Sequence, residues 1–175
     1  MPTAEDLIRN DSGIDERAAR IFHKETVADA ARLMKHYGVG LLPVVDEEER
    51  LIGVVTWQDL VDGVLGGMGV HPEAVGELAK KDYPAVSAEL DVESIAEEMT
   101  AHKVRELPVL DSGRLLGMVT DADVAEFLPI STLREFLRKI RQRQTESTGP
   151  KFAKSGISGP TGRGEGPDVG SKEPQ

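Results

Sequence analysis

Apolar and polar positions along this chain change period in a fixed order, and the order occurs twice. Val27, Ala30, Ala31 and Met34 fall at i, i+3, i+4 and i+7, which predicts a helix with one apolar stripe. Two short β-branched-rich runs follow, Leu41–Val45 and residues 51–55, split by the charged stretch 46–50, and these read as a hairpin. A second helix is expected over Trp57–Leu65. About 65 residues later the cycle returns. Val92, Ile95, Ala96 and Met99 make the helical stripe, 107–110 and 115–119 flank a turn at Asp111-Ser112-Gly113, and a helix is expected over 121–128. Short extended pieces near 20–22 and 85–87 precede the copies. Each unit is therefore β-α-β-β-α, and the fold class is α/β.

The duplication extends to individual residues. Pro43 matches Pro108, Asp46 matches Asp111, Gly53 matches Gly117, Thr56 matches Thr120 and Asp59 matches Asp123. Thr26 with Asp29 has the form of a capping box, and Asp91 suits the N-cap of the second copy's first helix. Residues 7–11 and 78–82 look like matching lead-ins, with six more residues after the first than after the second. Gly66-Gly67-Met68-Gly69 reads as a linker, with a short helix opening at Pro72. Near the end, Thr132 and Glu135 suggest a capping box ahead of the stripe Leu133, Phe136, Leu137 and Ile140. The expected organisation is a first repeat with its lead-in over 1–66, a second over 67–129, an amphipathic helix over 130–144, and a Gly-, Pro- and Ser-rich disordered tail over 145–175.

Bulk properties narrow the function classes. A chain of 175 residues suits one compact body with a tail. No cysteine is present, so disulfide and thiol chemistry are excluded. The N-terminal residues lack a basic region followed by an apolar core, and no apolar run approaches the ~18 residues of a membrane span. A cytoplasmic protein is expected, with no membrane partner. A net charge of −10 disfavours nonspecific binding to nucleic acid. A nucleic-acid accessory role would have to use the cationic edge of the last helix, formed by Arg134, Arg138, Lys139, Arg141 and Arg143. That edge reads otherwise as the wet side of a packed helix, or as a contact for an acidic partner.

The candidate chemistry lies at the two strand–helix junctions. Thr56-x-x-Asp59 and Thr120-x-x-Asp123 can each be a capping box, the Thr hydroxyl taking the N3 amide while the Asp reaches back. The same place can hold a ligand, because a helix N-terminus offers amides and a positive dipole end to an anion. A carboxylate there can also accept from two vicinal ribose hydroxyls. Arg105 stands where the first copy has Gly40, and is either a surface cation or a phosphate clamp at one site only. The glycine run 66–69 lacks the Lys-Ser/Thr of a P-loop. His23, His36, His71 and His102 are scattered without metal-ligand spacing, so no metal is expected. No nucleophile elbow or His-Glu-x-x-His motif occurs, and no catalytic residue is assigned.

The duplicated unit, with its apolar-Pro-Val-x-Asp strand and Gly-x-x-Thr-x-x-Asp junction, resembles the CBS domain pair, or Bateman module, over residues 4–128. The resemblance implies two αββα units related by a pseudo-twofold axis and packed through their sheets. It also implies two clefts for adenine nucleotides or adenosyl ligands such as AMP, ADP, ATP or S-adenosylmethionine, and a non-catalytic sensing role. One cleft would use Thr120, Asp123, Met118 and Arg105, facing Val39 and Ala19. The other would use Thr56, Asp59 and Val54, facing Val104 and Pro84. Gly40 deprives this second cleft of a base, and Glu106 sets a carboxylate beside Arg105, which favours a mono- or diphosphate. The resemblance further implies a homodimer, with contributors near 60–65 and 124–128, and an effector protein acting in trans. The rival expectation is a structural dimerisation scaffold whose clefts stay empty and whose Thr–Asp pairs only cap helices.

Overall fold

A computed structural model describes residues 1–9, 19–65 and 73–146, the side chains of 142–146 excepted. The linker at 66–69, the helix start at Pro72, His71, the six additional residues and the tail from 147 onward lie outside the described residues.

The first repeat runs β1 (Ile21–Phe22), α2 (Val27–Tyr37), β2 (Leu41–Val45), β3 (Leu51–Thr56) and α3 (Trp57–Leu65), after a short helix α1 (Ala4–Arg9). A 3₁₀ turn at Val75–Leu78 opens the second repeat: β4 (Val86–Ser87), α4 (Val92–His102), β5 (Glu106–Asp111), β6 (Arg114–Thr120) and α5 (Asp121–Phe127). Helix α6 (Ile130–Glu146) closes the described chain. Each repeat forms a three-stranded mixed sheet, in order β1-β2-β3 or β4-β5-β6, with the first pair parallel and the second antiparallel. Gly53 opposes Val44 and Gly117 opposes Val109, so the register as well as the sequence is duplicated.

Local chemistry sets the element ends. Thr26 accepts from the Asp29 amide and Asp29 bonds back to the Thr26 amide, closing a capping box on α2. Asp91 accepts from the Glu93 and Ser94 amides on α4. Caps of this kind contribute about 1 kcal/mol each. Gly38 ends α2 in the left-handed region at φ 68°, and Lys103 takes the equivalent place after α4 at φ 56°. A side chain there costs about 1–2 kcal/mol that glycine avoids. The last helix starts at 130 as expected, but the capping box expected at Thr132 and Glu135 is not what opens it. Pro129 accepts from the Thr132 and Leu133 amides, so α6 begins at Ile130 and Thr132 lies inside its first turn.

Two apolar cores result, one per repeat, but the lead-ins are exchanged between them. Ala4 and Leu7 of α1 are buried in the core of the second repeat, while Val75, Leu78 and Ala79 pack in the core of the first. The backbone bonds repeat the exchange. The Ala4 and Glu5 amides donate to the Leu90 and Ala88 carbonyls, as the Val75 and Gly76 amides donate to those of Glu25 and His23. The lead-in assigned to the first repeat over 1–66 thus packs on the second. The physical reason is that the second core buries Ala4 and Leu7 while the Leu90 and Ala88 carbonyls accept from the α1 amides. Between the sheets, Leu41, Val54 and Met118 form a small buried cluster with Tyr83 against it. At the hairpin tips, Arg50 bridges to Arg114.

Candidate functional site

The carboxylates of Asp59 and Asp123 sit where the third strand of each repeat turns into a helix. Asp59 Oδ2 accepts from the Thr56 amide at 2.8 Å and the Thr56 hydroxyl at 2.6 Å, and the Thr56 hydroxyl accepts from the Asp59 amide at 3.3 Å. Asp123 and Thr120 make the same three bonds at 2.7, 2.8 and 3.3 Å. Both junctions are therefore capping boxes, and the box alone does not mark a ligand site. Thr3–Asp6 and Thr26–Asp29 form identical boxes. What distinguishes the two junctions is their setting: those at Thr56 and Thr120 are part-buried, whereas those at Thr3 and Thr26 are exposed.

Each junction carries an ion pair. Lys80 Nζ lies 2.8 Å from Asp59 Oδ1, and its backbone bonds Val54 in both directions, at 3.1 and 2.8 Å. A Cβ added at Gly53 would stand 2.5 Å from the Lys80 carbonyl oxygen, so glycine there is what lets the second lead-in lie against β3. Burial is the largest influence on Asp59 and works to raise its pKa, yet the Lys80 ammonium and the Thr56 hydroxyl and amide together hold it below the usual carboxylate range. In the second repeat, Arg105 Nε donates to Asp121 Oδ2 at 2.7 Å. Asp121 rather than Glu106 is thus the partner of Arg105. Glu106 lies half-buried, and burial first, then the charge of Asp121, pushes its carboxyl above the usual range while Arg105 opposes the shift.

The remaining candidates divide. Val54 and Met118, assigned to different clefts, share the buried cluster between the sheets. Val39 and Ala19 pack with the core of the first repeat and Val104 with that of the second, so each contributes to its own repeat. Pro84 is half-buried beside Tyr83, whose hydroxyl donates to the Glu106 carbonyl at 2.9 Å. Sequence reasoning missed Lys80, Tyr83 and Asp121. The matching lead-ins did carry a signal, since aligning Leu7 with Leu78 places Arg9 opposite Lys80.

A metal would need three or four converging donors. His23 with Glu47 and His102 with Glu98 are His–carboxylate pairs at 3.2 Å, and among the described residues no three His, Asp or Glu side chains come together as a metal group. No helix among them is long and apolar enough to cross a membrane.

Comparison with known proteins places these features in a family. The CBS domain model matches residues 16–66 and 75–130. Hypoxic response protein 1 of Mycobacterium tuberculosis is 34% identical over 117 residues, spanning 66% of this chain and 82% of that protein. A crystal structure of Hypoxic Response Protein I with two coordinated zinc ions superposes with a TM-score of 0.61 at 32% identity, over 73% of this chain and all of the other. The CBS domain pair of protein MJ0100, in complex with 5′-methylthioadenosine and S-adenosyl-L-methionine, gives a TM-score of 0.56 over 71% of this chain and 98% of its own, and at 20% identity shares the fold.

Proposed function

The chain belongs to the CBS domain family as a tandem pair, and from that premise we propose that it is a non-catalytic regulatory module. It binds an adenine nucleotide or adenosyl ligand between its repeats and signals to a separate effector protein. The observation that carries this reading is the pair of part-buried carboxylates, Asp59 and Asp123, set in equivalent frames, with Lys80 on Asp59 and Arg105 on Asp121 at the second junction. A carboxylate suits a ribose diol, and a nearby guanidinium or ammonium suits a phosphate. The MJ0100 pair, crystallised with two adenosyl compounds, supports the ligand class by analogy of fold.

A second reading is favoured by a specific observation. Asp59 is already engaged by Thr56 and Lys80, and Arg105 by Asp121, as in a scaffold whose polar groups satisfy one another. Native mass spectrometry of the full chain with AMP, ADP, ATP, S-adenosylmethionine and NAD separates the two. A stoichiometric adenosyl adduct supports the sensor, and none with any ligand leaves the scaffold.

Assembly follows from the faces the helices leave open. Val27, Ala28 and Ala31 of α2 and Trp57, Val61, Val64 and Leu65 of α3 line an open apolar groove, with Val64 48% and Leu65 79% exposed. The equivalent face of the second repeat is covered by α6, where Phe136 and Ile140 are buried together with Val124 and Leu128. Residues 124–128, expected at a dimer contact, are therefore largely used within the chain. A homodimer pairs through the first repeat alone.

A further inference from the structure

We propose that Lys80 gates the Thr56–Asp59 cleft and makes it selective for anionic nucleotides over neutral or cationic adenosyl compounds. The inference rests on the nucleotide reading above and adds to it a residue from the exchanged lead-in. An ionised carboxylate has about four acceptor positions. At Asp59 three are in use, two on Oδ2 by the Thr56 amide and hydroxyl and one on Oδ1 by Lys80. A vicinal diol donates two hydrogen bonds and finds one position free. It must therefore displace the ammonium, because the Thr56 bonds close the turn into α3.

The displaced ammonium decides which ligand is tolerated. Its backbone stays pinned to Val54 by two hydrogen bonds, so the ammonium stays within one side chain's reach of Asp59. A ligand with a phosphate replaces the lost carboxylate as counter-ion. A neutral nucleoside leaves the charge without one, and a sulfonium adds repulsion. Gly40 provides no base at this junction, and among the described residues Lys80 is the cation paired with Asp59. The device is particular to this cleft. The equivalent residue of the other lead-in, Arg9, is turned to Glu5 of its own helix at 2.7 Å.

The Lys80 side chain is about half exposed, so the expected effects are modest. Calorimetry would compare the full chain with its Lys80→Met variant, both carrying Asp123→Asn to leave one cleft for study. The ligands are AMP, adenosine and S-adenosylmethionine. Methionine keeps the length of the stem, and the backbone bonds to Val54 do not involve the side chain. The expected result is a sign change: Lys80→Met weakens AMP about three- to tenfold and tightens adenosine and S-adenosylmethionine by a similar factor. Equal changes for all three ligands, or none, would overturn the gate while leaving nucleotide binding in place. Failure of all three to bind either protein would remove the gate together with the ligand reading of this cleft.

Discussion

The two junctions use the same Thr and Asp for different neighbourhoods, and the neighbours decide the chemistry. The Thr–Asp pairs are legible in the sequence because they recur in frame, but their partners are not. Lys80 reaches Asp59 only because the lead-ins are exchanged between repeats, which no local pattern encodes. Arg105 illustrates the same limit, since its partner Asp121 lies across a strand pair. If Arg105 meets a ligand phosphate, Arg105→Ala should weaken AMP about tenfold and leave adenosine unchanged in calorimetry. Equal losses for both would assign Arg105 to holding α5. Glu106 makes a pH prediction. Its folded pKa is raised, so its stabilising contribution is fully present below the ordinary value of 4.5 and is lost as pH rises through the folded value. Glu106→Gln should therefore melt at a higher temperature than the parent at pH 7, and the advantage should vanish near pH 4. An advantage that persists at low pH would point to packing instead of charge.

At the scale of elements, the helices and hairpins could be read because period and caps agree. α2 and α4 begin at their capping residues Thr26 and Asp91, and the hairpin strands follow the apolar runs. The extent of α6 follows its apolar stripe, but Thr132 and Glu135 only imitate a capping box, and the carbonyl of Pro129, three residues before Thr132, accepts from the first amides instead. The destination of α1 was not legible either. Its two buried residues, Ala4 and Leu7, are too few to choose between two similar cores, and the choice depends on backbone bonds to residues 88 and 90. Gly53 ties the lead-in to the sheet, and Gly53→Ala should cost about 1–3 kcal/mol in denaturant unfolding, the range for overpacking against fixed backbone. A loss below a few tenths of a kcal/mol would mean that the Lys80 backbone yields freely.

Across the whole molecule, the duplication is broken where it matters for assembly and for ligands. One helical face is covered by α6 and the other is an open apolar groove. Sedimentation of the full chain should show a dimer, and Val64→Glu should raise its dissociation constant at least about tenfold by placing a charge in the contact. A parent chain that stays monomeric, or a variant that dimerises as before, would contradict the one-faced dimer. The exchanged lead-ins join the two repeats so that neither core is complete alone, and Lys80, the partner of Asp59, belongs to the lead-in that packs on the first core.

The central claim is that Asp59 and Asp123 receive a ligand as well as cap a helix. It is tested most directly by thermal unfolding of the full chain and of its Asp59→Asn/Asp123→Asn variant, with and without nucleotide. Asparagine keeps an acceptor for the cap, so both proteins should fold. A nucleotide at about 100 times its Kd adds about 2.7 kcal/mol to the parent, which is roughly 5–10 °C for a chain of this size. The account predicts that rise in the parent and its loss in the variant. A rise of equal size in both proteins at every nucleotide concentration, or none in the parent with any adenosyl ligand, would contradict it.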